Sequence, residues 1–196
     1  NINPAVSRKL TDTLSFGVGL NAQYVDLTME KKANLGYSTG SAGDGNVKIK
    51  ADSWGYGYNF GFLWTQVGLS YRSKVTQNAK GTIDYTPNFR ADGDISSTVN
   101  LPAMAVLSVK QRYGQKFELL AGATWTKWSD YGSLVIKDAS GQTLTNTRQD
   151  FKDSWRYSLG GIYQATDTLK LRTGLAIDYT PISNETHRSP RTPDST

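Results

Sequence analysis

Residues 53–64 read Ser-Trp-Gly-Tyr-Gly-Tyr-Asn-Phe-Gly-Phe-Leu-Trp. Trp54, Tyr56, Tyr58, Phe60, Phe62 and Trp64 share one parity, and Ser53, Gly55, Gly57, Asn59 and Gly61 share the other. Successive side chains of a strand point to opposite faces, so the stretch predicts a strand with one aromatic face and one nearly bare face. A soluble sheet covers its large face with a second layer and turns polar groups to water. Here the opposite face is small rather than charged. Trp at both ends of the row, with Phe inside it, matches a strand that crosses a bilayer and sets amphipathic rings at the two water–lipid boundaries. For this stretch alone the alternative is a core strand of a β-sandwich.

The flanking sequence repeats the pattern. Leu14, Phe16, Val18, Leu20, Ala22 and Tyr24 alternate with Ser15, Gly17, Gly19, Asn21 and Gln23. After Thr65-Gln66, Val67, Leu69, Tyr71, Ser73 and Val75 are expected to face out, with Gly68, Ser70, Arg72, Lys74 and Thr76 facing in. Val99, Leu101, Ala103, Ala105, Leu107 and Val109 form the next outer row, and Pro102 within it predicts a bulge or gap. Phe117–Trp125, Trp155–Tyr163 and Leu169–Tyr179 alternate likewise. With residues 2–10 this makes eight strand segments and no helix. Short turns alternate with longer segments read as loops, including 36–46, 87–94 and 138–150. That rhythm, with charges facing in and apolar residues out, predicts an all-β, antiparallel transmembrane barrel with periplasmic turns and extracellular loops.

Composition agrees. The chain has 196 residues, 37% hydrophobic, with a mean hydropathy of −0.50. No run approaches the roughly 18 apolar residues of a spanning helix, whereas a barrel strand needs only alternate ones. The absence of cysteine excludes disulfides and thiolate metal sites. The net charge is +5 but no basic run reaches five residues, so no nucleic-acid partner is expected. No signal peptide stands at Asn1, so the chain is expected to be mature, trimmed or a piece of something longer.

In order along the chain stand Asn1-Ile-Asn-Pro-Ala-Val, Gly17-Val-Gly-Leu-Asn-Ala, Trp54-Gly-Tyr-Gly-Tyr-Asn-Phe-Gly, Val67-Gly-Leu-Ser-Tyr-Arg-Ser, Asn100-Leu-Pro, Trp125-Thr-Lys-Trp-Ser, Asp153-Ser-Trp-Arg, Arg172-Thr-Gly-Leu-Ala and Arg191-Thr-Pro-Asp. In this series the sequence resembles the FadL/TodX family of outer-membrane channels for long-chain fatty acids and other hydrophobic molecules. The resemblance implies a fourteen-stranded barrel of which residues 1–196 form one segment, about eight strands. The family's N-terminal hatch, with its Asn-Pro-Ala-Gly motif, and its C-terminal strands are expected to lie outside the chain, since Asn3-Pro4-Ala5 is followed by Val6. It further implies passive uptake without a cofactor, and a monomer in the bacterial outer membrane in contact with its lipid and lipopolysaccharide. The competing reading is a small structural or adhesive eight-stranded barrel without transport.

No catalytic set can be assembled around the only histidine, His187, which sits in a polar tail, and no EF-hand spacing surrounds Asp44 or Asp92. The chain is therefore read as a non-enzyme without a metal. Asn184-Glu185-Thr186 matches a glycosylation acceptor without meaning in a bacterial barrel. Leu27 and Met29 are apolar on the lumen parity, and Lys31 continues it. The resemblance places a basic ligand contact at Met29-Glu30-Lys31 and a second just before Asp153, at Arg148 and Lys152; a rim lysine in water is the alternative for Lys31. Arg72, Lys74, Arg156, Lys170 and Arg172 are expected to line the interior in ion pairs with Glu118 and Asp178.

Overall fold

The structure, a computed structural model, describes residues 1–34, 44–87 and 90–182. His187, Asn184-Glu185-Thr186, Arg191-Thr-Pro-Asp and most of the expected 36–46 loop lie outside the described residues. One antiparallel sheet holds twelve strands: β1 Ala5–Lys9, β2 Leu14–Asn34, β3 Asp44–Trp64, β4 Val67–Arg72, β5 Val75–Thr86, β6 Gly93–Leu101, β7 Met104–Tyr113, β8 Phe117–Thr126, β9 Ser133–Asp138, β10 Thr143–Arg148, β11 Ser154–Gln164 and β12 Lys170–Asp178. A 3-10 turn, Trp128–Asp130, separates β8 from β9.

The sheet has two branches that share β3. The wall runs β1–β2–β3–β4–β7–β8–β11–β12 and corresponds to the eight expected segments. β1 and β12 do not pair with each other among the described residues, so the wall is an unclosed stretch of barrel. The second branch leaves the loop-end half of β3 and runs β5–β6–β9–β10. β5, β6, β9 and β10 correct the expected strand count of eight. β5 runs on from the end of the expected fourth strand, β6 joins the expected 87–94 loop to the start of the expected fifth strand, β9 falls in a stretch assigned to no strand, and β10 lies in the expected 138–150 loop. Beyond the lipid the outer face carries Thr, Asn and Lys, so the large-residue alternation that marks the wall is missing from these strands.

β5 also corrects an orientation. β4 pairs with β3 up to Arg72 opposite Asn59, and Ser73 N–H donates to Tyr58 O; β5 resumes pairing at Lys80 opposite Asp52. Residues 53–57 of β3 thus face residues 74–79, one residue more, which is a bulge. One extra residue exchanges the two faces of everything that follows. Val75, expected outside, is 3% exposed, and Lys74, expected inside, is exposed on the outer surface. Val75 and Gln77 fold across the bare face of β3, where a Cβ at Gly55 would lie 2.6 Å from both Val75 Cγ1 and Gln77 Nε2. The two glycines of Trp54-Gly-Tyr-Gly make room for this crossing.

The neighbouring strand breaks at the same level. Arg72 is opposite Met104 and Val75 is opposite Leu101, so Ser73-Lys74 faces Pro102-Ala103. Pro102 carries no N–H, in keeping with the gap its sequence predicts. Beyond it Leu101 turns inward with Val75, against the expected outward row, while Thr76 Oγ1 donates to Asn100 Oδ1 at 2.8 Å and Thr98 Oγ1 to Asn78 Oδ1 at 3.0 Å. β2 and β3 reach the same inversion without a bulge. Their register is unbroken, and the sequence itself changes: Tyr24 opposite Trp54 ends the aromatic row, then Glu30 opposite Lys48 lies on the outer face and Met29 opposite Ile49 on the inner. Where strands leave hydrocarbon for water, the apolar face must turn inward.

Candidate functional site

The inward-turned apolar faces enclose a cavity at the loop end of the sheet. Its floor is the buried cluster Ile83, Tyr85, Ile95 and Ile136, with Val47, Ile49 and Leu144 packed against it. Each such burial is worth about 2 kcal/mol, which holds the short strands β6, β9 and β10 to the longer β3 and β5. The cavity measures about 730 Å³, and Met29, Ile49, Leu101 and Leu134 extend its aliphatic side.

The opposite side is aromatic. The Phe151 ring meets Trp128 edge-on at 6.0 Å and lies 5.8 Å from Tyr131. The 3-10 turn sets Trp128 and Tyr131 together, and Asp153 Oδ1 fixes that turn by accepting from Ser129 N–H at 3.2 Å and from Ser129 Oγ at 2.6 Å. Lys127 closes the turn through an ion pair with Asp130 at 3.1 Å. Asp153 thus has a structural task in the Asp153-Ser-Trp-Arg motif.

Lys31 and Arg90 line the cavity, and Glu30 borders it from the strand position whose side chain lies on the outer face. Glu30 is held by Lys48 at 2.9 Å. That hydrogen bond and charge keep the Glu30 carboxyl below the usual carboxylate range, and Glu30 in turn raises the Lys48 ammonium. Arg90 lies over the Tyr85 ring, its guanidinium carbon 5.9 Å from the centroid. Tyr85 is itself anchored by its N–H donating to Asp92 Oδ1 at 2.6 Å.

Of the residues picked from sequence, Met29 and Lys31 line this cavity. Leu27 is on the same strand face opposite Ala51, but it is 41% exposed and outside the lining. Arg148 and Lys152 do not line it. Arg148 points away and pairs with Asp150 at 3.0 Å, while Lys152 is exposed; Thr147, Gln149 and Phe151, their chain neighbours, supply the lining. The sequence reading missed Arg90 and the Trp128–Tyr131–Phe151 group. Arg90 sits in a loop without periodicity, and the aromatic residues are brought together only by the fold. Among the described residues no group of three or more His, Cys, Asp or Glu could hold a metal ion.

The interior ion pairs differ in part from expectation. Glu118 binds Lys110 at 2.9 Å and Arg112 at 2.6 Å, and Arg156 lies 3.7 Å from Asp178. Arg72, Lys74, Lys170 and Arg172 have no carboxylate within ion-pair distance among the described residues.

Residues 1–196 match the family model described as outer membrane protein transport protein (OMPP1/FadL/TodX). The chain is 29% identical over 238 residues to a long-chain fatty acid transport protein of Escherichia coli K12, covering 99% of this chain and 53% of that protein. A crystal structure of a Pseudomonas aeruginosa FadL homologue superposes with a TM-score of 0.83 at 26% identity, covering 98% of this chain and 52% of the other. That of the Pseudomonas putida toluene transporter TodX gives 0.64 at 17% identity, over 90% of this chain and 54% of the other, and so shares the fold. The chain spans about half the length of these relatives. A family match over the whole chain and an all-antiparallel wall with lipid-facing aromatic rows lead to one conclusion: the chain belongs to the OMPP1/FadL/TodX family of outer-membrane β-barrel transport proteins.

Proposed function

We propose that this chain supplies the wall and a ligand cavity of an outer-membrane channel for passive uptake of hydrophobic molecules, with long-chain fatty acids as the leading substrates. The observation that carries the reading is a cavity of about 730 Å³ with aliphatic and aromatic walls and a cation, Lys31, at its margin. Apolar surface takes the chain of an amphiphile out of water, worth about 0.8 kcal/mol per buried methylene. In this reading Leu27 guides the ligand toward Met29, Lys31 meets the head group, and Arg148 and Lys152 act at the rim. Diffusion between sites needs no catalytic residue, cofactor or metal. Relatives named for fatty acids and for toluene support hydrophobic cargo in general, and the cation favours the acid.

Met29→Trp tests the reading, because it fills the cavity without touching the lipid face. Binding of a fluorescent long-chain fatty acid to the detergent-solubilised protein is expected to weaken about tenfold, the effect of roughly 1.4 kcal/mol. Uptake into cells carrying the protein should fall with it. Unchanged binding and uptake would remove the cavity from the route and favour a structural barrel.

A further inference from the structure

We propose that the outward face of β5 and β6 docks a phosphate-bearing glycolipid head group of the outer leaflet, a lipopolysaccharide, through Lys74, Asn78, Lys80 and Asn100. This goes beyond the transport reading and rests on the outward face of the wall, not on the cavity. The bulge sets the position. Ser73 N–H donates to Tyr58 O, and residues 74–79 then run beside residues 53–57 of β3. Trp54, Tyr56 and Tyr58 are exposed on that outer surface, at the loop end of the aromatic row. Such rings mark the level where hydrocarbon gives way to head groups. Val75 and Gln77 are buried on the inner side, so Lys74, Thr76, Asn78 and Lys80 turn outward alongside the rings. Strand register carries the face on to β6: Thr76 is opposite Asn100, Asn78 opposite Thr98 and Lys80 opposite Ser96.

The face is rich in donors and poor in acids. Residues 73–80 and 95–101 contain no Asp or Glu. Lys74 and Lys80 are exposed, and neither has a carboxylate within ion-pair distance among the described residues, although Asp52 lies opposite Lys80 on β3. The asparagines spend their carbonyls within the face. Thr76 Oγ1 donates to Asn100 Oδ1 at 2.8 Å, and Thr98 Oγ1 to Asn78 Oδ1 at 3.0 Å. Each Asn thereby keeps its Nδ2 group as a donor to an outside acceptor. Lysine ammonium groups bind phosphate oxygens through charge-assisted hydrogen bonds, and the amides suit phosphate oxygens and sugar hydroxyls. The lysine stems can lie along apolar surface and carry their charge to the head-group level. A free phosphate would engage the donors and ignore the rings beside them. A lipid engages both, with its acyl chains on the aromatic row and its head group on the lysines and amides.

The test uses the intact protein in nonionic detergent micelles, titrated with bisphosphorylated lipid A, dephosphorylated lipid A and inorganic phosphate, with bound lipid read by native mass spectrometry. Lys74→Gln with Lys80→Gln is expected to weaken bisphosphorylated lipid A about tenfold or more, the loss of charge-assisted hydrogen bonds. Dephosphorylated lipid A and a fluorescent long-chain fatty acid should stay within about twofold. Lys74→Arg with Lys80→Arg should retain most of the binding. Lys9→Gln with Lys116→Gln removes the same charge at the turn end of the wall and should leave lipid A binding unchanged. Equal weakening by the two Gln pairs would reduce the effect to net charge and overturn the site. Equal binding of the two lipid A forms by the unsubstituted protein would overturn it as well, and so would displacement of lipid A by inorganic phosphate. If lipid A binding ignores Lys74 and Lys80 while the fatty acid still binds, the docking face falls and the cavity reading stands. If the fatty acid fails to bind while lipid A depends on the two lysines, the cavity reading falls and the docking face stands.

Discussion

Parity decides what each residue of the wall experiences. Phe60 faces out, its ring 5.2 Å from Tyr71 on the next strand, whereas Ser70, one residue before Tyr71, faces the interior. Phe60→Arg should cost about 2–4 kcal/mol of folding stability in a bilayer if its level is near the midplane, and Ser70→Arg much less. A denaturant titration in lipid vesicles measures both, and equal costs would refute the assignment of faces. Glu30 and Lys48 stand beyond the lipid and respond to pH. The Glu30 carboxyl is depressed by its hydrogen bond to Lys48, so its stabilisation is present above the ordinary carboxylate pKa and disappears as pH falls through the depressed value. The Lys48 ammonium is raised, so its share is present below the ordinary lysine pKa and disappears as pH rises through the raised value. Amide protection around Glu30 and Lys48, measured against the intrinsic exchange rate at each pH, should therefore be highest between those limits. It should fall as pH drops through the depressed Glu30 value, and Glu30→Gln should flatten that acid limb.

The strand that carries the most structure is β3, because it serves both branches. Its aromatic face holds the lipid boundary, and its bare face receives the bulge between β4 and β5. Glycine is needed where Val75 and Gln77 cross it. Gly55→Ala places a Cβ 2.6 Å from both and should destabilise by about 1–3 kcal/mol through overpacking. Gly61→Ala, on the same strand face, would place its Cβ at an ordinary 3.5 Å from Leu69 O and is expected to cost clearly less. Thermal unfolding in micelles separates the two. Indifference at Gly55 would mean that the crossing does not form as described.

Over the whole molecule, two apolar regions coexist, one facing lipid and one facing the cavity, and tryptophans report on each. Trp64 is 63% exposed on the lipid face, whereas Trp128 lines the cavity. In variants that keep a single tryptophan, with the others replaced by Phe, brominated lipid should quench Trp64 strongly and Trp128 weakly. A brominated fatty acid at a concentration too low to load the membrane should reverse that order. Quenching of both tryptophans by lipid alone would place the second branch in the bilayer and exclude an aqueous loop end. The cavity draws on β2, β3, β5, β6, β9 and β10 and on the loops beside them, so its contents depend on both branches of the sheet.

Much of the wall was legible in the sequence, because alternation is a local, two-residue property and a bilayer imposes it on every strand that crosses. Trp54 to Trp64 established the lipid face, and Met29 and Lys31 came out on the lumen face from parity alone. Parity failed at Val75 and Leu101, since one unpaired residue near Ser73 reverses both faces and only strand pairing shows it. Thr143–Arg148 read as a loop because a short strand in water needs no large outer residues, and Ser133–Asp138, with Leu134, Val135 and Ile136 in one run, offers no two-residue alternation to mark a wall strand. Arg90, Trp128 and Phe151 are separated along the chain, and no local pattern links them. Their meeting on one cavity was decided by pairing across β3, β5, β6 and β9, a long-range choice in which burial of Ile83, Tyr85, Ile95 and Ile136 outweighs local preference.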